Sequence, residues 1–427
     1  WGEGIATWFL LTGDRDALDA AVDCAEQNFD TQTRGLHKEP GKPARFSRDF
    51  TRSCYLVNAA RMCLPADEYL AEAGDRLAEI YLKRPDPEPR GFLNGPSKLD
   101  MKTIEQKVGP NGMARMKELG VTFDAASGRL SDPKTGAKWL PVNHPQTWMY
   151  PPLSRGLGTY LRITGDEDAR DWLIAYGQAV ARILFQKKHG NLNYSHFLVD
   201  FPVKGWAWDR TSWDLPENAT SGKGQRIKGY LAEFHPDVMA RGYALCGESL
   251  LKKRARDMWY GATHAGHDMA EGKRTRTVRR WANVYSTHDE TVCFTGETFY
   301  VWSHPRKDTA PPKAVTDLKV KVEGGKAAVS FTAPADEGGG RVARYQVKCS
   351  DKPIVEYPKF LDLWREDKDA GVTNWWMAAN LTGEPEPRAP GAKESFTVSG
   401  VPAGAKHFAV RAFDDSANRS ALSNVTE

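Results

Sequence analysis

The stretch that decides the fold of the N-terminal part of the chain is GIATWFLLTGD at residues 4–14, which recurs as GLGTYLRITGD at residues 156–166. Each copy is an apolar helical run that ends on Thr-Gly-Asp and leads into a second helical run. Glycine suits the left-handed residue that ends a helix, and the aspartate after it can accept the free amide hydrogens of the next helix. The motif therefore predicts a helical hairpin.

Looser copies of the hairpin motif occur at Pro65-Ala66-Asp67 and at Cys246-Gly247-Glu248. The leading helix of each pair is rich in small and aromatic residues, whereas the trailing helix has apolar residues at three- and four-residue spacings. This pattern predicts an inner and an outer layer of helices, that is, an α/α toroid. An open superhelix of the same hairpins is the alternative. A further helical run at residues 291–302 would be a helix of the inner layer that is not followed by a helix of the outer layer.

The beginning of the chain falls inside an inner helix, with no capping residue before it. We therefore expect the toroid to be incomplete at the N-terminus and to be preceded by further helices and N-terminal domains. We assign residues 1–307 to the toroid, which is the candidate catalytic domain.

The pattern changes at Asp308, after which short alternating runs are separated by turns rich in Gly, Pro, Asp and Asn. This pattern predicts an antiparallel β-sandwich over residues 308–427. The runs lie at residues 315–322, 327–332, 342–349, 394–398, 407–413 and 421–425. An insertion at residues 351–393 carries five aromatic side chains, which are Tyr357, Phe360, Trp364, Trp375 and Trp376. We expect it to dock the sandwich on the helices, with a sugar-binding platform as the alternative.

Composition and charge limit the classes of partner. The 427 residues carry a formal net charge of +4, and no basic run stands far from acidic residues, so we predict no nucleic acid partner. No apolar segment is long enough to span a membrane, and no signal-peptide pattern is present. The six cysteines lack the spacing of a zinc site, and we expect mainly buried thiols with at most one bridge.

Two insertions interrupt the helical pattern, near residues 91–143 and 188–225. Long insertions in compact domains commonly form lids or binding loops. The second is dense in aromatic and polar side chains, including Tyr194, His196, Trp206 and Trp208. A sugar ring needs a flat apolar surface on one face and hydrogen-bonding groups at its edge, so this loop is a candidate for glycan binding. The alternative is that the tryptophans pack the loop onto the helices.

The stretch EGIATWFLLTGD at residues 3–14 is similar to the helix opening of α/α-toroid enzymes that break down polysaccharides. The nearest resemblance is to the toroid domain of exo-rhamnogalacturonan lyases and their YetA-like relatives, in which β-domains precede the toroid. The resemblance covers residues 1–305 in organisation. It implies a lyase that acts on an acidic glycan, but no motif matches closely enough to carry over a catalytic residue.

The C-terminal part resembles a fibronectin type III domain in APPKAVTDL at residues 310–318, in YQV at 345–347 and in FAVRAFD at 408–414. It departs from that pattern at Phe331, where a core tryptophan is common, and in the insertion at residues 351–393. Such modules accompany many extracellular carbohydrate-active proteins and do not define an activity.

Polar clusters precede the predicted inner helices, whose starts would meet at one mouth of a toroid. β-Elimination next to a uronate carboxylate needs a base, a group that neutralises the carboxylate and an acid for the leaving oxygen. His144 or His235 could be the base, Arg155 or Arg241 the neutralising cation, and Tyr150 or Tyr194 the acid. The predicted catalytic residues are His144, Tyr150, His235 and His288. The predicted substrate-binding residues are Arg155, Tyr194, His196, Trp206, Trp208, Glu233, Arg241 and Glu290.

Two other functions stay open. A glycoside hydrolase would need two carboxyl groups across the scissile bond, for which Glu233 with Asp289 or Glu290 could serve. A non-catalytic extracellular scaffold is the third interpretation. Metal binding is an alternative role for four of these residues, whose spacing is not diagnostic: His235, Asp237, His288 and Glu290. The prediction is a site without metal or cofactor. The favoured interpretation is an extracellular or periplasmic enzyme that cleaves an acidic polysaccharide by elimination.

Overall fold

The computed structural model describes residues 2–33, 48–82, 150–181, 235–263, 308–356, 371–375 and 378–426, together with short stretches between residues 101 and 144, 185 and 198, and 301 and 304. About 49% of these residues are helical and about 21% are in strands. The principal helices are α1 (Gly2–Thr12), α2 (Arg15–Thr33), α3 (Arg48–Cys63), α4 (Glu68–Leu82), α5 (Tyr150–Thr164), α6 (Glu167–Ala179), α7 (Pro236–Cys246) and α8 (Ser249–Thr263).

The helix ends follow the chemistry of the repeated motif. Gly13 and Gly165 have φ values of 73° and 71°, and each donates its backbone N–H to the carbonyl four residues earlier. Asp166 then caps α6 by accepting a hydrogen bond from the backbone of Ala169 at 2.8 Å. Gly247 ends α7 in the same left-handed conformation, with φ of 74°. The four predicted hairpins are therefore present.

Small residues let neighbouring helices approach closely. A Cβ added to Gly156 on α5 would lie 2.8 Å from the backbone of Cys54 on α3. Gly177 on α6 and Gly242 on α7 meet in a similar way, because a Cβ on Gly177 would lie 3.5 Å from the Cα of Gly242. Glycines therefore allow the helix backbones to pack closely at these two crossings.

The hairpins form a row, and the predicted α/α toroid is wrong. Helix α1 packs on α3, α3 on α5, and α5 and α6 on α7. Within the described residues the helices are few, and none of their extensive contacts joins α1 or α2 to α7 or α8, so these hairpins do not close a ring. The motif specifies the turn inside each pair but not the angle between pairs, and this angle decides whether a ring closes. The predicted run at 291–302 lies outside the described residues except for Val301, which is buried.

Short strands interrupt the helical part of the chain. They are β1 (Thr122–Asp124), β2 (Arg129–Ser131), β3 (Lys138–Trp139), β4 (Val142–His144), β5 (Phe185–Gln186), β6 (Asn191–Leu192) and β7 (His196–Leu198). β1, β2 and β3 form an antiparallel sheet, whereas β5 with β6 and β4 with β7 form two-stranded ribbons. Within the first insertion, β1 and β2 pair in antiparallel register.

The C-terminal part contains two small antiparallel sheets of three strands each. Its strands are β8 (Lys319–Glu323), β9 (Lys326–Thr332), β10 (Val342–Ser350), β11 (Ile354–Val355), β12 (Thr373–Asn374), β13 (Ala379–Asn380), β14 (Lys393–Ser399) and β15 (His407–Asp414). The sheet orders are β14-β9-β8 and β13-β10-β15, while β11 and β12 form a parallel pair. Phe331, Val347 and Phe408 lie in the core of this part.

The predicted fibronectin type III-like β-sandwich is likewise wrong as a fold assignment. Most predicted runs became strands, but residues 421–425 did not, and Thr426 makes only an isolated bridge with Phe408. Alternation of polar and apolar residues indicates where a strand lies, but it does not determine how many strands pair into one sheet. Two three-stranded sheets are what the described residues form.

A few residues of the C-terminal part belong to the apolar core of the helices. Ile354, Trp375 and Ala378, from the predicted docking insertion, belong to the same buried cluster as Trp172 and Ile174 on α6. The docking role of the insertion is therefore confirmed at Trp375, which is fully buried. Tyr357, Phe360, Trp364 and Trp376 lie outside the described residues. The domain boundary at 307/308 stays a prediction.

Polar contacts cross the same interface. Lys348 on β10 forms a buried ion pair with Asp171 on α6, and Arg344 pairs with Glu167 at 3.1 Å. Asn380 Nδ2 donates to Asp171 at 3.1 Å. A buried carboxylate is stable only when its charge and hydrogen bonds are satisfied, so these partners fix α6 against the sheet.

Two further findings concern membranes and cysteines. Among the described helices, none combines the length and the apolar character needed to cross a bilayer. Cys54, Cys246 and Cys349 are buried, Cys24 and Cys63 are partly buried, and no disulfide joins these five described cysteines. The predicted buried thiols are confirmed at the first three. Burial raises the pKa of Cys54 to about 12, although a hydrogen bond from Asn58 acts in the opposite direction.

Candidate functional site

The ribbon of β4 and β7 joins the two insertions of the helical part. In its antiparallel register, His144 at the end of β4 is directly opposite His196 at the start of β7. Opposite residues in such a ribbon have Cα atoms about 4.5–5.5 Å apart. Two histidines that the sequence assigned to different roles are therefore neighbours in the backbone, just before Tyr150 begins α5.

His235 is positioned by the start of α7. It is the residue before the first helical turn, which begins with Pro236, and its side chain is fully buried. Its Nε2 lies 3.4 Å from the hydroxyl of Tyr176 on α6, and the tautomer decides which atom donates. Tyr176 in turn stacks on Trp172, with ring centroids 5.2 Å apart. This imidazole therefore belongs to the packing between α6 and α7.

Arg241 lies further along α7 and is directed to α5. Its Nη1 donates a hydrogen bond to Ser154 Oγ at 2.8 Å, and only 7% of the residue is exposed. The guanidinium also packs against Gly158, because a Cβ there would lie 2.7 Å from Arg241 Nε. Arg241 thus contacts α5, whereas His235 contacts α6.

Arg155 differs from Arg241 in its exposure. It is partly exposed on α5, and its guanidinium carbon lies 5.8 Å from the ring centroid of Tyr55 on α3. This distance is within the range of a cation–π contact, which orients the planar guanidinium without removing its charge. The Tyr55 ring thus orients a cationic side chain that is partly exposed at the surface of α5.

Several predicted site residues cannot be positioned. His288, Tyr194, Trp206, Trp208, Glu233 and Glu290 lie outside the described residues, as do Asp289 and the interval between residues 199 and 234. For His144, Tyr150 and His196 the structure gives the backbone position.

The sequence did not single out Tyr176 and Ser154, which contact the predicted site residues His235 and Arg241. Both lie on helices whose pattern predicted only packing. The one available signal was a hydroxyl at a buried helical position, because such a group requires a hydrogen-bond partner.

Comparison with known proteins provides no relative: no protein-family model matches the chain, and no curated protein matches it either.

Proposed function

We propose that the chain is an extracellular or periplasmic polysaccharide lyase that cleaves an acidic glycan by β-elimination. The observation that carries the proposal is the register of the β4–β7 ribbon, which pairs His144 with His196. It brings a candidate base next to the aromatic, polar insertion at residues 188–225, which is the candidate glycan-binding loop.

Because His235 is buried, His144 is the remaining candidate for the base, and the partial exposure of Arg155 favours it as the neutralising cation. A polymer can reach a base only at a surface, and His235 is fully buried against Tyr176. Arg241 is also buried and engaged with Ser154, whereas Arg155 is partly exposed. In this assignment His235 and Arg241 hold the helices together and do not touch the substrate.

The chemistry follows from these roles. His144 would remove the proton on the carbon next to the uronate carboxylate. Arg155 would stabilise the charge that develops on the carboxylate, because an opposite charge fixed in place lowers the barrier to ionisation. Tyr150 or Tyr194 would donate a proton to the departing glycosidic oxygen. The C–O bond breaks, a C=C bond forms, and the product carries an unsaturated uronate.

The burial of His235 also supports a second candidate, a non-catalytic scaffold. With His235 and Arg241 assigned to packing, fewer of the predicted site residues are available for catalysis or substrate binding. The glycoside hydrolase alternative relies on Glu233, Asp289 and Glu290, which lie outside the described residues.

A product assay on purified chain separates these functions. Pectic polymers, alginate and glycosaminoglycans are incubated with the protein, and ultraviolet absorbance and new reducing ends are followed together. A lyase produces both signals, because elimination creates a double bond conjugated to the carboxylate. Reducing ends without the absorbance would contradict elimination and support hydrolysis. Binding with neither signal would contradict both enzymes and support the scaffold.

A further inference from the structure

Three aspartates from distant parts of the sequence converge in the C-terminal part. Asp308 precedes the first C-terminal strand, Asp336 lies between β9 and β10, and Asp414 ends β15. One carboxylate oxygen from each lies within 4.8 Å of the other two. Like charges at this separation repel one another strongly unless a counter-charge lies between them.

Two carboxylate oxygens in this cluster are buried and unsatisfied. Asp308 Oδ2 and Asp336 Oδ1 are shielded from solvent and accept no hydrogen bond from the described residues. The second oxygen of each side chain is held by a backbone N–H, from Ala310 at 2.8 Å and from Gly340 at 2.7 Å. Each carboxylate is therefore fixed in orientation while one oxygen is left without a donor. Such an arrangement costs free energy unless a ligand supplies the missing partner.

The third carboxylate is more deeply buried. Asp414 is 3% exposed and accepts hydrogen bonds from the backbone N–H and the side-chain amide of Asn418, at 2.7 and 2.8 Å. None of the salt bridges among the described residues reaches any of the three aspartates.

A glycine makes room for one of the carboxylates. A Cβ on Gly338 would lie 1.9 Å from Asp308 Oδ1 and 2.0 Å from Oδ2, so the carboxylate occupies the space that any other residue would fill. The loop between β9 and β10 thus contributes both a ligand, Asp336, and the space for a second one.

We propose that Asp308, Asp336 and Asp414 bind a calcium ion, which links the segment at Asp308 to the C-terminal sheets. Carboxylate oxygens are the ligands of hard cations, whereas zinc prefers nitrogen and sulfur. Calcium–oxygen distances are about 2.4 Å, so oxygens on opposite sides of one ion are about 4.8 Å apart, and all three fit in one shell. This site is independent of the glycan chemistry and stabilises the fold.

The test is a calcium titration of the full chain after dialysis against a chelator. Calorimetry measures binding, and circular dichroism measures the melting temperature, with NaCl and MgCl2 at matched ionic strength as controls. We expect calcium to raise the melting temperature by about 4 °C or more, because a ligand that binds only the folded state stabilises it. A melting temperature that calcium changes no more than NaCl does would overturn the proposal.

Variants locate the site. Asp308→Asn keeps the oxygen that accepts from Ala310 but removes a charge, and we expect it to weaken calcium binding about tenfold or more. Gly338→Ala displaces Asp308 without changing any charge and should cause a similar loss. Glu323→Gln on β8 and Gly371→Ala, which has open space around it, are the matched controls and should bind like the parent. Undiminished binding by both Asp308→Asn and Gly338→Ala would rule out this site.

Discussion

Lys348 on β10 and Asp171 on α6 form an ion pair in which both side chains are almost inaccessible, with 0% and 1% exposed. Lys348 Nζ also donates to the carbonyl of Trp375 at 3.1 Å and lies 4.8 Å from its ring centroid. The helices and the C-terminal sheets are thus joined by a charge pair that neither part could bury alone.

Removal of one partner of this pair should destabilise the chain. In Lys348→Met the charge of Asp171 stays buried without its cation, which costs about 3–5 kcal/mol of unfolding free energy. The double variant Asp171→Leu/Lys348→Met should recover most of this loss, because no uncompensated charge remains. Urea denaturation followed by fluorescence measures both.

The exposed pair of Glu72 and Arg76 on α4 is the matched control. Arg76→Met should change stability by less than about 1 kcal/mol, because solvent screens this pair. If Lys348→Met were no more destabilising than Arg76→Met, the interface pair would not have the role assigned to it.

The crossing of α3 and α5 should tolerate nothing larger than glycine at residue 156. Gly156→Ala places a Cβ 2.8 Å from the backbone of Cys54, and neither helix can move without disturbing the core. We expect a loss of about 1–3 kcal/mol. Gly4→Ala on α1, where the added Cβ meets nothing within 4 Å, should be neutral or slightly stabilising, since alanine favours helix. Similar melting temperatures for the two variants would contradict the close crossing.

Asp317 should make stability depend on acid pH. Its carboxylate accepts hydrogen bonds from the side chain and backbone of Thr332, at 2.6 and 2.9 Å, which with Lys393 lower its pKa from 3.8 to about 2. Because the folded-state pKa is lower than the unfolded one, the stabilisation is complete above pH 4 and is lost as the pH falls toward 2.

Asp317→Asn should therefore be less stable than the parent at pH 7, and the difference should shrink between pH 4 and pH 2. The control is Asp351→Asn, an exposed position in the same part of the chain. Denaturant midpoints across this pH range check the prediction. A difference that does not change with pH would mean that ionisation of Asp317 is not its cause.

Local chemistry in the sequence predicted local structure well. Gly13 and Asp166 specify a helix end and a cap through their own conformations and hydrogen bonds, so the hairpins could be located without coordinates. The row of hairpins could not be distinguished from a ring, because closure depends on crossing angles set by contacts such as Gly156 against Cys54.

The candidate site was less predictable for the same reason. His144 and His196 pair across two insertions that have no regular period, so only the fold brings them together. His235 was predicted to be catalytic from its position before a helix, but burial depends on the neighbour, Tyr176, which contacts it from α6. The sequence around Asp171 and Lys348 does not show that they form a buried ion pair, because their burial depends on a distant part of the chain.

The most direct test of the proposed function compares His144→Asn with His235→Asn and His304→Asn in the elimination assay on the best acidic glycan. His304 is exposed, and its Nδ1 lies 2.9 Å from Ser303 Oγ. We predict that His144→Asn lowers kcat/KM by about 100-fold or more, as expected for loss of a general base. His304→Asn should retain full activity, and folded His235→Asn should change melting temperature more than rate. Full elimination activity in His144→Asn, or loss of activity only in His235→Asn, would contradict the account.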